Sequence, residues 1–187
     1  YAELGLVRRE RLTATEQTML HVARARCLAR MGRVEDTIAA VGSADDCFAR
    51  QEVDEDPPWM AYYDSAQHLG DSGHALYEIA IQQKQRTTEA VERLETAVCR
   101  HTDAYARSRA FSRSKLAALT IVNGDTEEAI KLARLAISDF SAVNSARSLV
   151  YLRELASISK QHQSKRDSEE LTALRRDIDR AIKAYAW

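Results

Sequence analysis

Residues 116–137, LAALTIVNGDTEEAIKLARLAI, leave few choices of fold. Apolar residues recur at helical spacing on both sides of Asn123-Gly124-Asp125, a run that ends one helix and starts another. Ala117 precedes the turn, and Ala129, Ala133 and Ala136 follow it. Small residues at those places let two helix axes approach closely. Helix, tight turn and helix with alanines at the contact is the signature of a helical repeat. Helical repeats stack like units and build binding surfaces rather than active sites.

Composition agrees with this reading. The chain has 187 residues with only 6 glycines and 2 prolines, too few turn residues for a many-stranded β fold. A chain of this length buries roughly 70% of its unfolded surface and needs no covalent staples. Lys plus Arg is 27 against 28 for Asp plus Glu, which argues against nucleic acid or an anionic membrane being bound through bulk charge. Cys27, Cys47 and Cys99 are odd in number and far apart, as expected of a reduced, cytoplasmic protein. No apolar run approaches the ~18 residues of a membrane span, and no secretory leader opens the sequence. The chain starts at Tyr1 rather than Met, so it reads as one piece of a larger protein.

Residues 1–12 read as the end of an upstream helix or a linker, and residues 13–187 as a single helical repeat domain. Thr13 and Glu16 form a capping box for a helix to about Met31. Gly32 ends that helix, and another begins at Val34, with Gly42 placed to break it. An acidic loop, residues 52–56, and Pro57-Pro58 make the clearest interruption. Asp64 with Gln67 caps a helix over 65–85, and Thr87 or Thr88 caps the next. Asp125 with Glu128 caps the helix over 126–141 that pairs with 104–123. A last pair covers 145–162 and 166–185. Short connections make the partners antiparallel.

Aligning the turns exposes the repeat. Gly32, Gln85 and Gly124 mark equivalent turns. Five residues later come Thr37, Ala90 and Ala129; seven residues earlier come Ala25, Glu78 and Ala117. The later position is small in every unit. The predicted fold is therefore all-α, a right-handed superhelix of about four antiparallel helical hairpins. Its units are longer than the ~34 residues of a strict tetratricopeptide array.

Four segments carry a more specific likeness: PPWMAYYD at 57–64, GHAL at 73–76, AYARSRAFSRSKLA at 104–117 and GDTEEA at 124–129. Together they resemble the C-terminal tetratricopeptide-like (TPR) region of XRE-type helix-turn-helix transcription regulators of actinobacterial type, over residues 16–180. The resemblance implies a cytoplasmic regulator whose DNA-binding half is absent from this chain. Its repeat region would sense a peptide, a small-molecule effector or a partner protein, or would dimerise.

Candidate binding residues follow from chemistry. Arg109 and Arg113 are four apart, on one helix face, with Arg107 beside them. Guanidinium forks suit carboxylates and phosphates; the alternative is a set of salt bridges to a neighbouring helix such as the one bearing Glu127 or Glu128. The acidic loop at 52–56 is a further possible partner, lying over the arginines as an internal lid. Trp59, Tyr62 and Tyr63 are either a plug that holds the long loop or one wall of a pocket. Asn144 and Arg147 open the seventh helix and are candidates for the same groove, with Asn144 read first as the helix N-cap. His74 completes the groove set.

Gly70-Asp-Ser72-Gly73-His74 matches the run around a protease nucleophile, yet it sits inside a helical pattern and reads as glycines at a close helix contact. No H-x3-H or C-x2-C spacing supports a metal, and no cofactor is expected. The apolar end at Tyr185, Ala186 and Trp187 suggests a homodimer. The sequence thus points to a sensing and interaction domain of a transcription regulator, with a stand-alone peptide-binding scaffold as the alternative reading and no catalytic residue assigned.

Overall fold

The computed structural model describes residues 1–143, 146–162 and 169–184. Among these the protein is all-helical, with no strand. The chain divides into two compact units, Tyr1–Ala97 and Val98–Trp187.

The first unit opens with α1 (Ala2–Leu6) and a 3-10 turn at Arg9–Arg11. Then come α2 (Ala14–Arg30), α3 (Val34–Phe48), α4 (Ser65–Gln83) and α5 (Thr87–Arg100), with the division between units falling inside α5. Helix α2 begins where its capping box dictates. The Thr13 amide donates to Glu16 Oε2 at 2.8 Å, and the Glu16 amide donates to Thr13 Oγ1 at 3.2 Å. It ends at Gly32, whose φ of 71° no β-carbon hinders. The turn is so short that α3 must fold back along α2.

Helix α4 packs against both α2 and α3. Its start is fixed by Asp64, whose carboxylate accepts from the Gln67 amide at 2.9 Å. The glycine-rich run lies in mid-helix, as expected. A β-carbon on Gly73 would stand 3.1 Å from the Leu94 side chain and 3.3 Å from the Arg93 β-carbon, so this glycine is what lets α4 and α5 touch.

Two boundaries differ from expectation. Gly42 does not break α3, which runs unbroken from Val34 to Phe48. One glycine inside a helix lowers its stability without stopping it when Val41, Ala44 and Cys47 are held in a core around it. And α5 starts at Thr87 itself, preceded by Arg86 at φ 56°, so the threonines lie in the first turn rather than ahead of it.

The second unit carries α6 (Ala106–Asn123), α7 (Thr126–Ala142), α8 (Ala146–Gln161) and α9 (Glu169–Ala184). Gly124, at φ 87°, closes α6, and Asp125 caps α7 by accepting from the Glu128 amide at 3.2 Å. The core is aromatic. Phe111 of α6 stacks on Tyr151 of α8 with ring centres 4.3 Å apart, and Phe140 of α7 leans on both. Such contacts add about 1 kcal/mol each beyond burial. The predicted apolar end at Tyr185, Ala186 and Trp187 lies outside the described residues. No helix among the described residues is long and apolar enough to cross a membrane.

Gly42 also supplies a test. An added β-carbon there meets no atom within 4 Å. Gly42→Ala is expected to stabilise the protein by roughly 0.5–1 kcal/mol, through lower unfolded-chain entropy alone. Urea denaturation checks this; a lower midpoint in the variant would show that α3 needs the glycine after all.

Candidate functional site

The predicted groove residues fall in both units, and the two sets are described separately. In the second unit, α6 presents Arg109 and Arg113 one turn apart, on the same face. Both reach Asp139, near the end of α7. Arg113 Nη1 makes a short ion pair with Asp139 Oδ2, and Arg109 Nη2 lies 3.8 Å from Oδ1. The side chains are largely enclosed, at 19%, 15% and 14% exposure for Arg109, Arg113 and Asp139. Arg109 Nη1 also donates to the His101 carbonyl at 3.3 Å and to Asp103, which stands in open solvent, at 3.0 Å. The Nε atoms of both arginines are buried without a hydrogen-bond partner among the described residues. Two cations therefore share one sheltered anion.

The anion comes from the helix that bears Glu127 and Glu128, but from its opposite end. The acidic loop is engaged within its own unit: Asp56 accepts from Thr15 Oγ1 at 2.5 Å and from Gln51 at 3.3 Å. Burial raises the Asp56 carboxyl's pKa, and these hydrogen bonds outweigh that and hold it below the usual carboxylate range.

Arg107 is exposed. Arg147 lies over the Phe111 ring, 5.7 Å from its centre, so its cation rests on the aromatic core. Lys115 is buried, 3.5 Å from Glu154 and 5.5 Å from the Tyr151 ring centre. Asn144 lies outside the described residues.

In the first unit the aromatic cluster splits. Tyr63 is buried with Met60 beneath the long loop, whereas Trp59 is 58% and Tyr62 38% exposed. Tyr62 meets Tyr63 edge-on and donates to Met19 Sδ at 3.3 Å. The cluster is thus both plug and surface: Met60 and Tyr63 anchor the loop, and Trp59 and Tyr62 face solvent. His74 is buried in α4.

A second charged network was not foreseen. Asp45 of α3 receives His68 Nε2 at 2.7 Å and both terminal nitrogens of Arg93, at 2.9 and 2.6 Å. Arg93 also donates to Ser72 Oγ and Glu89 Oε1, each at 2.9 Å. The His68 ring stacks on Phe48 with centres 4.5 Å apart, and its Nδ1 has no partner among the described residues. The network thus ties α3, α4 and α5 together. Partial burial pushes the Asp45 carboxyl's pKa up; hydrogen bonds from Arg93 and His68 overcome this and hold it far below the usual range.

Ser72 belongs to this network. Its hydroxyl donates to the His68 carbonyl at 2.7 Å and accepts from Arg93, so neither the proton nor the lone pair is aimed at a histidine ring. The sequence signal for the network was weak: an Asp45-Asp46 pair near the end of α3, with partners 23 and 48 residues away.

Two cavities lie elsewhere. One of about 450 Å³ is lined by Arg9, Gln17, His21, Cys47 and Arg50 among others; burial, then Arg24 and Arg9, lowers the His21 pKa there. The other, about 860 Å³, runs along α7 past Ile130, Lys131, Arg134 and Leu135 to Glu170 of α9. Neither is lined by a residue predicted for the groove. Among the described residues no group of three or more His, Cys, Asp or Glu side chains is arranged to hold a metal ion.

No family model matches the chain, and neither a curated protein nor a solved structure matches it.

The Asp45 network makes a pH prediction. Its folded pKa is depressed, so the unfolded chain binds this proton more tightly. The network's stabilisation is present above the unfolded value of ~3.9 and is lost as pH falls toward the folded one. Asp45→Asn should be less stable than wild type at pH 7, with the gap narrowing below about pH 4. Thermal melts from pH 7 to pH 2.5 check this; a gap of constant size would deny Asp45 its role.

Proposed function

We propose that this chain is the sensing and protein-interaction region of a helix-turn-helix transcription regulator, built of tetratricopeptide-type hairpins, with the α6 arginine face as its binding surface. The observation that carries the reading is the packing of the repeat positions. Thr37, Ala90 and Ala129, five residues after each turn, are all fully enclosed, and so are Ala25 and Ala117, seven residues before two of the turns. Small side chains at matching offsets, each in full contact, are what a repeated hairpin requires and what an unrelated helical bundle has no reason to keep in step.

The arginine pair supports the functional half of the proposal. It sits on the first helix of a hairpin, the helix that lines the inner surface in stacks of this kind. Its guanidinium forks suit an acidic group on a peptide, an effector or a partner protein. The exposed Trp59 and Tyr62 offer a second anchor, in the first unit. DNA contact is assigned to a segment outside this chain, and a homodimer is part of the same reading.

The reading frame upstream of the Tyr1 codon tests the regulator assignment. An in-frame helix-turn-helix segment is expected. A frame that starts at or near Tyr1, with no such segment, overturns the assignment in favour of a stand-alone scaffold.

A further inference from the structure

We propose that Asp139 is a built-in competitor for the binding surface, holding the place of a ligand carboxylate between Arg109 and Arg113. The inference rests on the reading of the α6 arginine face as the binding surface, and concerns how that surface is kept closed.

Geometry supplies the first argument. The two Asp139 oxygens are divided between the two arginines, Oδ1 toward Arg109 and Oδ2 toward Arg113. That is how a free carboxylate would sit between two guanidinium groups. The arrangement is nearly sealed, since all three side chains are less than one-fifth exposed. Among the described residues no hydrogen bond from Arg113 reaches another acidic side chain, and Arg109 adds the exposed Asp103, whose pairing water screens.

Helix electrostatics supplies the second. Asp139 lies in the last turn of α7, which ends at Ala142 and holds no basic residue there. The C-terminal end of a helix repels negative charge. Nothing in α7 itself favours an aspartate at this position; the arginines of α6 do.

Exchange then has a structural consequence. An incoming carboxylate that takes Arg109 and Arg113 frees Asp139, and with it the end of α7 loses an ionic tie to α6. Ligand binding is thereby coupled to the geometry of the hairpin, through differential contact rather than distance. The ligand class is a carboxylate, such as a peptide C-terminus or an acidic side chain. The pattern of one oxygen per arginine is the carboxylate's own.

The test uses the whole chain with simple anions. Asp139→Ala should melt below wild type. Sodium formate should raise its melting temperature in a saturable way that sodium chloride of equal ionic strength does not. The double variant Arg113→Gln/Asp139→Ala should lose the effect. Asp139→Asn, which keeps the side chain's shape, serves if the alanine variant does not fold. Formate dissociation constants from the arginine Nε–Hε resonances should be about tenfold tighter in Asp139→Asn than in wild type, the worth of one charge-assisted hydrogen bond.

The proposal is overturned if neither Asp139 variant shows formate-specific stabilisation, if rescue persists without Arg113, or if wild type binds formate as tightly as Asp139→Asn. Inorganic phosphate binding more tightly than formate overturns the carboxylate assignment. A helix-turn-helix segment upstream together with no rescue would sink the competitor role and leave the regulator assignment standing.

Discussion

The close approach of paired helices is the constraint on which the rest of the protein depends. Thr37, Ala90 and Ala129, five residues after the turns, and Ala25 and Ala117, seven before two of them, are fully enclosed. A larger residue at such a place would force the axes apart, and overpacking of this kind costs about 1–3 kcal/mol. Gly73 carries the same logic to its limit, with Leu94 where a side chain would have stood. Tyr63, Tyr77, Phe140 and Leu152 are among the largest side chains that are fully buried.

Charge follows packing in both units, by a shared device. Helices α3 and α7 each end without a basic residue, and each carries an aspartate near its C-terminal end, Asp45 and Asp139. A helix C-terminus disfavours that charge, so a neighbouring helix must neutralise it. In the first unit Arg93 of α5 does so, assisted by His68. In the second, Arg109 and Arg113 of α6 do. A sheltered charge left single is costly, most of all at Asp139, which is more enclosed than Asp45.

The helices were legible in the sequence because their signals are local. Thr13, Asp64 and Asp125 stop unwound chain and start helix within four residues, and Gly32 and Gly124 end helices by adopting a conformation that other residues resist. The pairing of Arg109 with Arg113 was legible as well, since helical spacing alone puts them on one face. Their partner was not. Choosing Asp139 over Glu127 or Glu128 depends on how far α7 runs back along α6, and no local pattern encodes that. The Asp45–Arg93 network was hidden for the same reason: its members lie on three helices. Gly42 was misjudged because a glycine's local cost is small against the burial of its neighbours. Tyr62 and Tyr63, adjacent in sequence, part company because a 3-10 turn ending at Met60 sends one ring into the core and its neighbour outward.

The two aspartate networks differ in how their arginine donors are used. Around Asp45, its own carboxylate and that of Glu89 face Arg93, Arg86 and His68. Arg93 spends its donors on Asp45, Glu89 and Ser72, and the result is a clamp across three helices. Around Asp139, Arg109 and Arg113 face one sheltered carboxylate and the exposed Asp103, and both Nε atoms are buried without a hydrogen-bond partner among the described residues. On the proposal made for Asp139, an incoming carboxylate that brings further acceptors gains the Nε donors that the resident one leaves unused, whereas Arg93 already gives its Nε to Glu89.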